Sequence, residues 1–523
     1  MNQIDDTRPR LSVTTGASVT TGARSAWAVA GLIALAAALR FVYLGHQGFW
    51  FDEANTALLV KYSPGRMLGL IPQTESTPPL YYCVVWVWSR LFGDGEVGLR
   101  SLSALAGVLL VPVAYAAASQ LTASRRAGLI VAALAAFNPL LVWYSQEARS
   151  YSLLVLLCGL SLLAFASART EPRPRAIALW VLACALALAT HYYAVVAVAP
   201  QAAWLLWAHR RRRAVQIGVG LVAICGLALI PLALSQNSTG HDSWIAHAPL
   251  GPRLAQIAPQ FLIGTGAPAR KALKFGAFAL AAVALVLLAF RDRLPSRDGA
   301  LLAGGLAAGG FLLSLAFVAA GSDALITRNI LPLWLPAAVL LAGGLATRQS
   351  RGAAVIATIA AVALCGIGLA AVIGVDADYD LQRPDWHVVA RVLGPEPSPG
   401  QSRVILIQHY RTLLPLSLYL PGLRFLRAPL AHRVGELDVI AMSSPQQPLC
   451  WWGAACNLIP SQMQSSYAIP GFHPEWRHKV DQFTILRLVR DRPASLTRAS
   501  VARALRTTTL PRDDLLLQRS PAG

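Results

Sequence analysis

Long apolar runs, separated by short breaks that carry arginine, limit what this chain can fold into more than any other feature. A hydrocarbon core of roughly 30 Å is crossed by about 20 residues of apolar helix. Runs that meet this rule lie near 26–44, 97–119, 127–143, 149–168, 175–190, 194–208, 214–235, 272–291, 299–320, 329–346 and 353–375. The chain therefore reads as a polytopic α-helical membrane protein with about 11 transmembrane helices; the two runs flanking His191 are the shortest. Only 13% of the 523 residues are charged, against roughly 25% in soluble domains, which excludes an ordinary globular enzyme. A net charge of +20 would by itself allow a nucleic-acid binder. Only four of the 45 basic residues are lysine, however, and the arginines cluster between the runs. Cytoplasmic loops of membrane proteins have that pattern, so the partner read from charge is the bilayer and no nucleic acid.

Arginine placement also sets orientation. With eleven spans and the N-terminus inside, one side collects Arg8, Arg10 and Arg24, then Arg125 and Arg126, Arg169 to Arg175, and Arg210 to Arg213. Arg291 to Arg297 and Arg348 with Arg351 join them, whereas loops 144–148, 191–193 and 321–327 hold no Lys or Arg. Everything after residue 375 then lies outside the cytoplasm. Pro79 to Phe92 is apolar, but 14 residues of helix reach only about 21 Å. Its Tyr and Trp residues favour the bilayer interface, so it reads as an interfacial helix inside a first outer loop of 45–96. Residues 1–25 read as a disordered cytoplasmic tail and 26–375 as the transmembrane domain. Residues 376–523, with alternating runs such as Arg403–Tyr410 and Phe483–Val489, read as a small α/β periplasmic domain. There Cys450 and Cys456 either close a short-loop disulfide or stay free thiols.

Acidic residues are scarce, which makes their positions informative. None falls inside a predicted span, and this argues against an ion-coupled transporter, which needs ionisable groups near the midplane. Asp52, Glu53, Glu75, Asp94, Glu96, Glu147, Asp242 and Asp323 gather instead near the outer boundary. Arg40 and Arg100 lie near the outer ends of their spans, where a long side chain can snorkel. Asp52 and Glu53 follow the aromatics Phe49, Trp50 and Phe51, which would hold both carboxylates at headgroup depth; a solvated helix start with Asp52 as N-cap accounts for them equally well. The segment Tyr144-Ser145-Gln146-Glu147-Ala148-Arg149-Ser150-Tyr151 is too short to fold alone. Its Glu147 and Arg149 must face neighbouring helices, as site residues or merely as a loop ion pair. Thr190-His191-Tyr192-Tyr193 is a polar turn on the same side, or an interfacial aromatic belt. Arg328, beside Asn329, begins a span, where it could snorkel or grip a phosphate with its planar fork. Arg270 and Lys271 hold a similar place one loop earlier. The chain has no glycine-rich phosphate loop, no His-Glu-x-x-His and no metal-spaced Cys/His cluster. A carboxylate to accept a hydroxyl proton and a cation for a departing phosphate point to group transfer from a lipid phosphate.

Taken in order, these segments resemble the GT-C fold glycosyltransferases. Trp50-Phe51-Asp52-Glu53-Ala54 and Thr77-Pro78-Pro79-Leu80-Tyr81-Tyr82 are similar to that family's first outer loop. Trp143 to Tyr151, Thr190 to Tyr193 and Arg328-Asn329-Ile330-Leu331-Pro332 follow at matching membrane positions. The pattern is most similar to the family 39 type, the protein O-mannosyltransferases and aminoarabinose transferases, over roughly residues 26–375. Arg383-Pro384-Asp385-Trp386 resembles a motif that often follows the last span.

The resemblance implies a polyprenyl-phosphate-linked sugar donor, used with inversion on the outer face. It implies Asp52 as catalytic base with Glu53 beside it, Glu147 as the second acid, and Arg328 at the donor phosphate. Arg149, Arg270 and Lys271 are further candidates for that phosphate, and Tyr144, Gln146, His191, Tyr192 and Tyr82 for substrate contacts. Relatives commonly have His before the Pro-Pro pair where this chain has Thr77, a departure that puts any metal or phosphate contact through that side chain in question. Some members use a divalent cation and others do not; Asp52 and Glu147 are the residues that would hold one. The expectation is a glycosyltransferase of a bacterial inner membrane that moves one sugar to a cell-envelope acceptor, whether lipid, glycan or protein. A lipid or polysaccharide transporter or flippase is the alternative of a different class, and a scaffold of an envelope assembly is a third.

Overall fold

Helices occupy every apolar run named above, and a computed structural model shows how they break and join. It describes residues 15–394 other than 242, 293 and 294, then 397, 402–407, 413–425, 432–442, 469, 471–497, 499 and 515–519. The first helix, α1 (Thr15–Phe41), begins well before residue 26, so the expected disordered tail is helical from 15 to 25. Three short helices follow, α2 (Phe51–Leu59), α3 (Pro64–Thr74) and α4 (Leu80–Phe92), and together they fill the first loop. Then come α5 (Glu96–Thr122), α6 (Arg125–Phe137), α7 (Pro139–Ser145) and α8 (Tyr151–Thr170).

The α6–α7 run bends by 56°. Pro139 has no N–H to donate and disfavours helical backbone at Asn138. The break leaves carbonyls at the end of α6 without helical partners. Arg40 of α1 fills them: Nη2 donates to the Ala135 carbonyl (2.9 Å), Nη1 to that of Ala136 (3.0 Å), and Nε to Ser145 Oγ (3.2 Å). Arg40 is fully buried, so the expected snorkelling does not occur. The broken helix uses its donors.

The remaining membrane helices are α9 (Pro174–Thr190), α10 (Val195–His209), α11 (Arg213–Ala228), α12 (Ile230–Asn237), α13 (Ser243–His247) and α14 (Leu250–Ile263). They are followed by α15 (Arg270–Ala289), α16 (Pro295–Ala319), α17 (Trp334–Leu345) and α18 (Arg351–Ala377). By length and composition seven spans qualify, with α11 and α12 counted as one, and the bent pair makes eight. The helices at 175–190, 194–208 and 329–346 have 17, 15 and 12 residues. They are cut short by tight turns at Tyr192–Ala194 and Leu331–Leu333, and both turns face the site. In α8, 78% of the apolar stretch is buried, and in α5, 61%, against 11% in α1, so α5 and α8 form the axis of the bundle. A buried polar chain ties α8 to its neighbours: Trp180 of α9 donates to Gln201 of α10 (3.0 Å), which donates to Ser161 of α8 (3.2 Å).

After α18 come α19 (Trp386–Leu393), β1 (Ser402–Leu406), α20 (Leu413–Tyr419) and β2 (Arg424–Phe425). The longer strands β3 (His432–Met442), β4 (His473–Val480) and β5 (Phe483–Leu496) precede β6 (Leu515–Arg519). The sheet runs β2-β6-β1-β3-β5-β4, with β1 and β3 parallel and the other neighbours antiparallel. Apolar side chains of α19 and α20, among them Trp386, Val389 and Leu416, pack on Ile405, Ile440 and Phe483. An α/β unit is therefore present, as the alternating runs implied. Cys450 and Cys456 lie outside the described residues.

Candidate active site

Four carboxylates and four guanidiniums meet where the first loop, the α7–α8 turn, the segment before α17 and the segment after α18 converge. Each acid takes one arginine. Glu53, fully buried, lies in the first turn of α2 and binds Arg100 of α5 through two parallel bonds (Nε to Oε1, 2.7 Å; Nη2 to Oε2, 2.6 Å). It also accepts from the backbone N–H of Ala148 (2.8 Å) and, at 3.4 Å, from that of Trp50, capping its own helix. Two oxygens with four bonds have no capacity left for substrate. Glu53 thus serves the helix start, as the third-position acid of a capping box; the N-cap is Trp50, so Asp52 does not take the N-cap place.

Glu75, just after α3, pairs with Arg149 (3.0 Å) and accepts from Tyr82 Oη (2.5 Å) and Asn55 Nδ2 (2.6 Å). Burial raises its proton affinity and Arg149 opposes that rise. Thr77 Oγ1 lies 3.1 Å from Tyr82 Oη and so supports the same cluster. Arg149 also reaches the Asp52 carbonyl (3.2 Å). Glu147 and Arg149 consequently do not form the loop pair considered above; each has a distant partner.

Glu147 is fully buried, and its Oε2 accepts from Arg383 Nη2 (3.0 Å), while Oε1 has no hydrogen-bond partner. Burial pushes its carboxyl up to about 7, with Arg383 pulling the other way. Arg383 also donates to the Trp143 carbonyl (3.0 Å), lies 4.0 Å from the Trp143 ring and 5.8 Å from that of Trp50. The motif Arg383-Pro384-Asp385-Trp386 stands out in the sequence, yet nothing in its pattern assigns Arg383 a partner. The usable signal was scarcity of charge: a buried acid in so apolar a chain needs a cation.

Asp52 pairs with Arg328 (Oδ2 to Nη1, 3.0 Å). This is the one of the four pairs in which both side chains reach solvent, at 15% and 20% exposure. The Arg328 guanidinium lies 5.9 Å from the Tyr151 ring and 5.5 Å from that of Trp244. Its loop is pinned by a bidentate pair between Arg253 and Asp323 (2.8 and 2.6 Å).

The polar turn supplies the floor. The Tyr144 and Tyr151 rings lie 4.8 Å apart at a tilt of 59°, and those of Tyr151 and His191 5.8 Å apart at 45°. Burial, together with Arg328 and Arg149, pushes the His191 imidazole down to about 3, so it is neutral at physiological pH. Its Nδ1 accepts from the Tyr193 N–H (3.1 Å), which leaves the ring proton on Nε2. Tyr192 donates to Gln236 (2.7 Å), which ties back to the Thr77 carbonyl (3.0 Å). Gln146 donates to the Leu39 carbonyl (3.2 Å). Among the described residues, no hydrogen bond or ion pair links Arg270 or Lys271, in the first turn of α15, to this cluster.

Asp52 and Glu147 are both engaged by guanidiniums, and among the described residues no three His, Cys, Asp or Glu side chains gather as cation ligands. The residues present do not make a ligand set for a divalent ion, and no step below is assigned to one.

Residues 76–234 match the sequence model of the family described as dolichyl-phosphate-mannose-protein mannosyltransferase. No curated protein matches the chain by sequence. Among solved structures, the chain is similar to ArnT from Cupriavidus metallidurans in the apo state, with a TM-score of 0.55 and 15% identity over 89% of this chain and 98% of the other. ArnT from the same organism bound to undecaprenyl phosphate gives 0.52 and 16% identity over 88% and 98%. At these identities the likeness shows the fold. The match at residues 76–234, the apolar helices and the shared architecture together make this chain a multi-pass membrane protein with the fold of the GT-C glycosyltransferases.

Proposed function

We propose that the protein transfers one sugar from a polyprenyl-phosphate-linked donor to an acceptor hydroxyl, with inversion at the anomeric carbon. The observation that carries this reading is the Asp52–Arg328 pair, a carboxylate and a guanidinium 3.0 Å apart and the most open of four such pairs. In the transfer, Asp52 accepts the acceptor's hydroxyl proton as the new carbon–oxygen bond forms. The bond from the anomeric carbon to the phosphate oxygen breaks, and polyprenyl phosphate leaves with the electron pair. Arg328 meets the charge that grows on that oxygen. Glu147 offers its unpartnered Oε1 to a substrate hydroxyl. Glu53, Arg100, Glu75 and Arg149 hold the frame, Arg149 through Glu75 and the Asp52 carbonyl.

The neighbour ArnT is described as bound to undecaprenyl phosphate, which supports a donor of that lipid class here. We place the protein in a bacterial inner membrane with the site on the periplasmic side and residues 376–523 beside it. Supporting this, Arg126, Arg169 and Arg291 bond to Thr358, the Leu121 carbonyl and the Gly343 carbonyl at the other end of the bundle. Such a cationic end belongs in the cytoplasm. The acceptor is assigned to the cell envelope.

The test is purified protein in proteoliposomes with a synthetic undecaprenyl-phosphate-linked sugar, assayed for a new glycosidic bond. Transfer that disappears in Asp52→Asn supports the assignment. Lipid movement across the bilayer with no bond formed would move the protein to the transporter class.

A further inference from the structure

Gln47-Gly48-Phe49 belongs to none of the four ion pairs, yet it leads directly into α2 and so to Asp52 and Glu53. Its two edges are held by different parts of the chain. On the carbonyl edge, Arg100 Nη1 donates to the Leu44 and Gln47 oxygens (3.0 and 2.7 Å) and Nη2 to that of Gly48 (3.0 Å). On the amide edge, every partner lies beyond the last membrane helix. The Gly48 N–H donates to Asp385 Oδ1 (3.0 Å) and the Phe49 N–H to Tyr419 Oη (2.7 Å). The Gln47 side chain donates to Gln382 Oε1 (2.5 Å) and to the Arg383 carbonyl (3.1 Å). Tyr419 is itself fixed, since its hydroxyl donates to Glu96 (2.6 Å) and its ring stacks on His387 at 4.6 Å.

The fit leaves no slack. A Cβ added at Gly48 would lie 2.6 Å from His387 Cβ, 2.8 Å from Asp385 Oδ1 and 2.9 Å from Tyr419 Oη, and all three belong to the C-terminal α/β unit. Trp50 then caps α2 through Glu53, and Asp52 stands in the helix's first turn. A catalytic group displaced by about 1 Å can lose roughly 10²-fold in rate.

We propose that the segment 382–387 together with Tyr419 positions Asp52, so that the C-terminal unit forms part of the frame of the active site. This inference rests on the transfer reading given above, with Asp385, Tyr419 and Gly48 as positioning residues that touch no substrate. A clasp that only stabilised the fold would change melting temperature and leave turnover per folded molecule intact. A clasp that aims Asp52 lowers kcat and leaves the donor's KM almost unchanged.

The test uses the full-length protein in proteoliposomes, with amide hydrogen exchange over residues 48–54 and transfer kinetics with an undecaprenyl-phosphate-linked sugar. Gly48→Ala and Tyr419→Phe should each speed exchange at 48–54 and lower kcat by about 10- to 100-fold, with KM within about twofold of wild type. Tyr419→Phe keeps the ring against His387 and serves if Gly48→Ala folds poorly. Asp385→Asn retains an oxygen at Oδ1 and should recover kcat to within about threefold of wild type, whereas Asp385→Ala should not. Unchanged exchange at 48–54 in both variants overturns the clasp. Faster exchange with kcat intact overturns the aiming of Asp52. If wild type forms no glycosidic bond, the transfer reading falls, and exchange at 48–54 alone decides whether the clasp exists.

Discussion

Among the described residues, buried charges cluster at the end of the membrane bundle and again on the C-terminal sheet, and the two clusters differ in what they leave unpaired. On the sheet, strand register sets the partners. Arg403 on β1 lies opposite Glu436 on β3, and Asp438 on β3 opposite Arg487 on β5. Arg487 bonds to Glu436 (2.9 Å) and Asp438 (2.8 Å), and spare donors of Arg403 and Arg487 go to carbonyls of Leu393 and Gly394 at the end of α19. This cluster caps a helix and locks a sheet. In the bundle, by contrast, Glu147 Oε1 and Arg383 Nε have no partner. Charge burial alone is thus a poor mark of function; unused capacity next to an opening is a better one.

The largest test of this contrast is Asp52→Asn, which should lower kcat by about 10²- to 10⁴-fold, the usual worth of a general base, with melting temperature preserved. Arg100→Ala should act on the fold, because stranding a buried carboxylate costs about 3–5 kcal/mol; loss of folded protein in detergent is the readout. Arg328→Ala should weaken undecaprenyl phosphate binding by about 10- to 100-fold, the range for a charge-assisted hydrogen bond, as measured by titration into nanodiscs. The smallest effect compares Glu147 with Glu436, both pushed up to about 7 by burial. A carboxyl whose native affinity for protons exceeds its unfolded value favours the native state most at low pH, and that contribution fades as pH rises through about 7. The melting temperature should therefore fall between about pH 4.5 and about pH 7 and level off above that, and Glu147→Gln or Glu436→Gln should each flatten the fall. Only the Glu147 variant should also alter transfer. The Glu436 variant should keep turnover within about twofold.

Much of the frame was legible because a bilayer imposes a length and a composition on every span. The bend at Pro139 and the short α17 were not, since apolar content says nothing of where a helix breaks inside an apolar run. Asp52, Glu147 and Arg328 could be singled out because acids are few and their motifs resemble a known family. Their partners could not: Asp52 and Arg328 are 276 positions apart, and Glu147 and Arg383 are 236 apart. Arg40 and Arg100 were expected to snorkel, yet both are buried on backbone carbonyls, at a helix break and at the approach to α2. No local pattern announces such open carbonyls.

Those separations also impose an order on biosynthesis. A chain made from its N-terminus presents Asp52 long before Arg328 exists, and Glu147 long before Arg383. For about half of translation each carboxylate stands at the membrane surface without its cation, and all four ion pairs can close only when residue 383 has emerged. A fragment that ends after α18 would hold every membrane helix and still lack the counter-charge of Glu147.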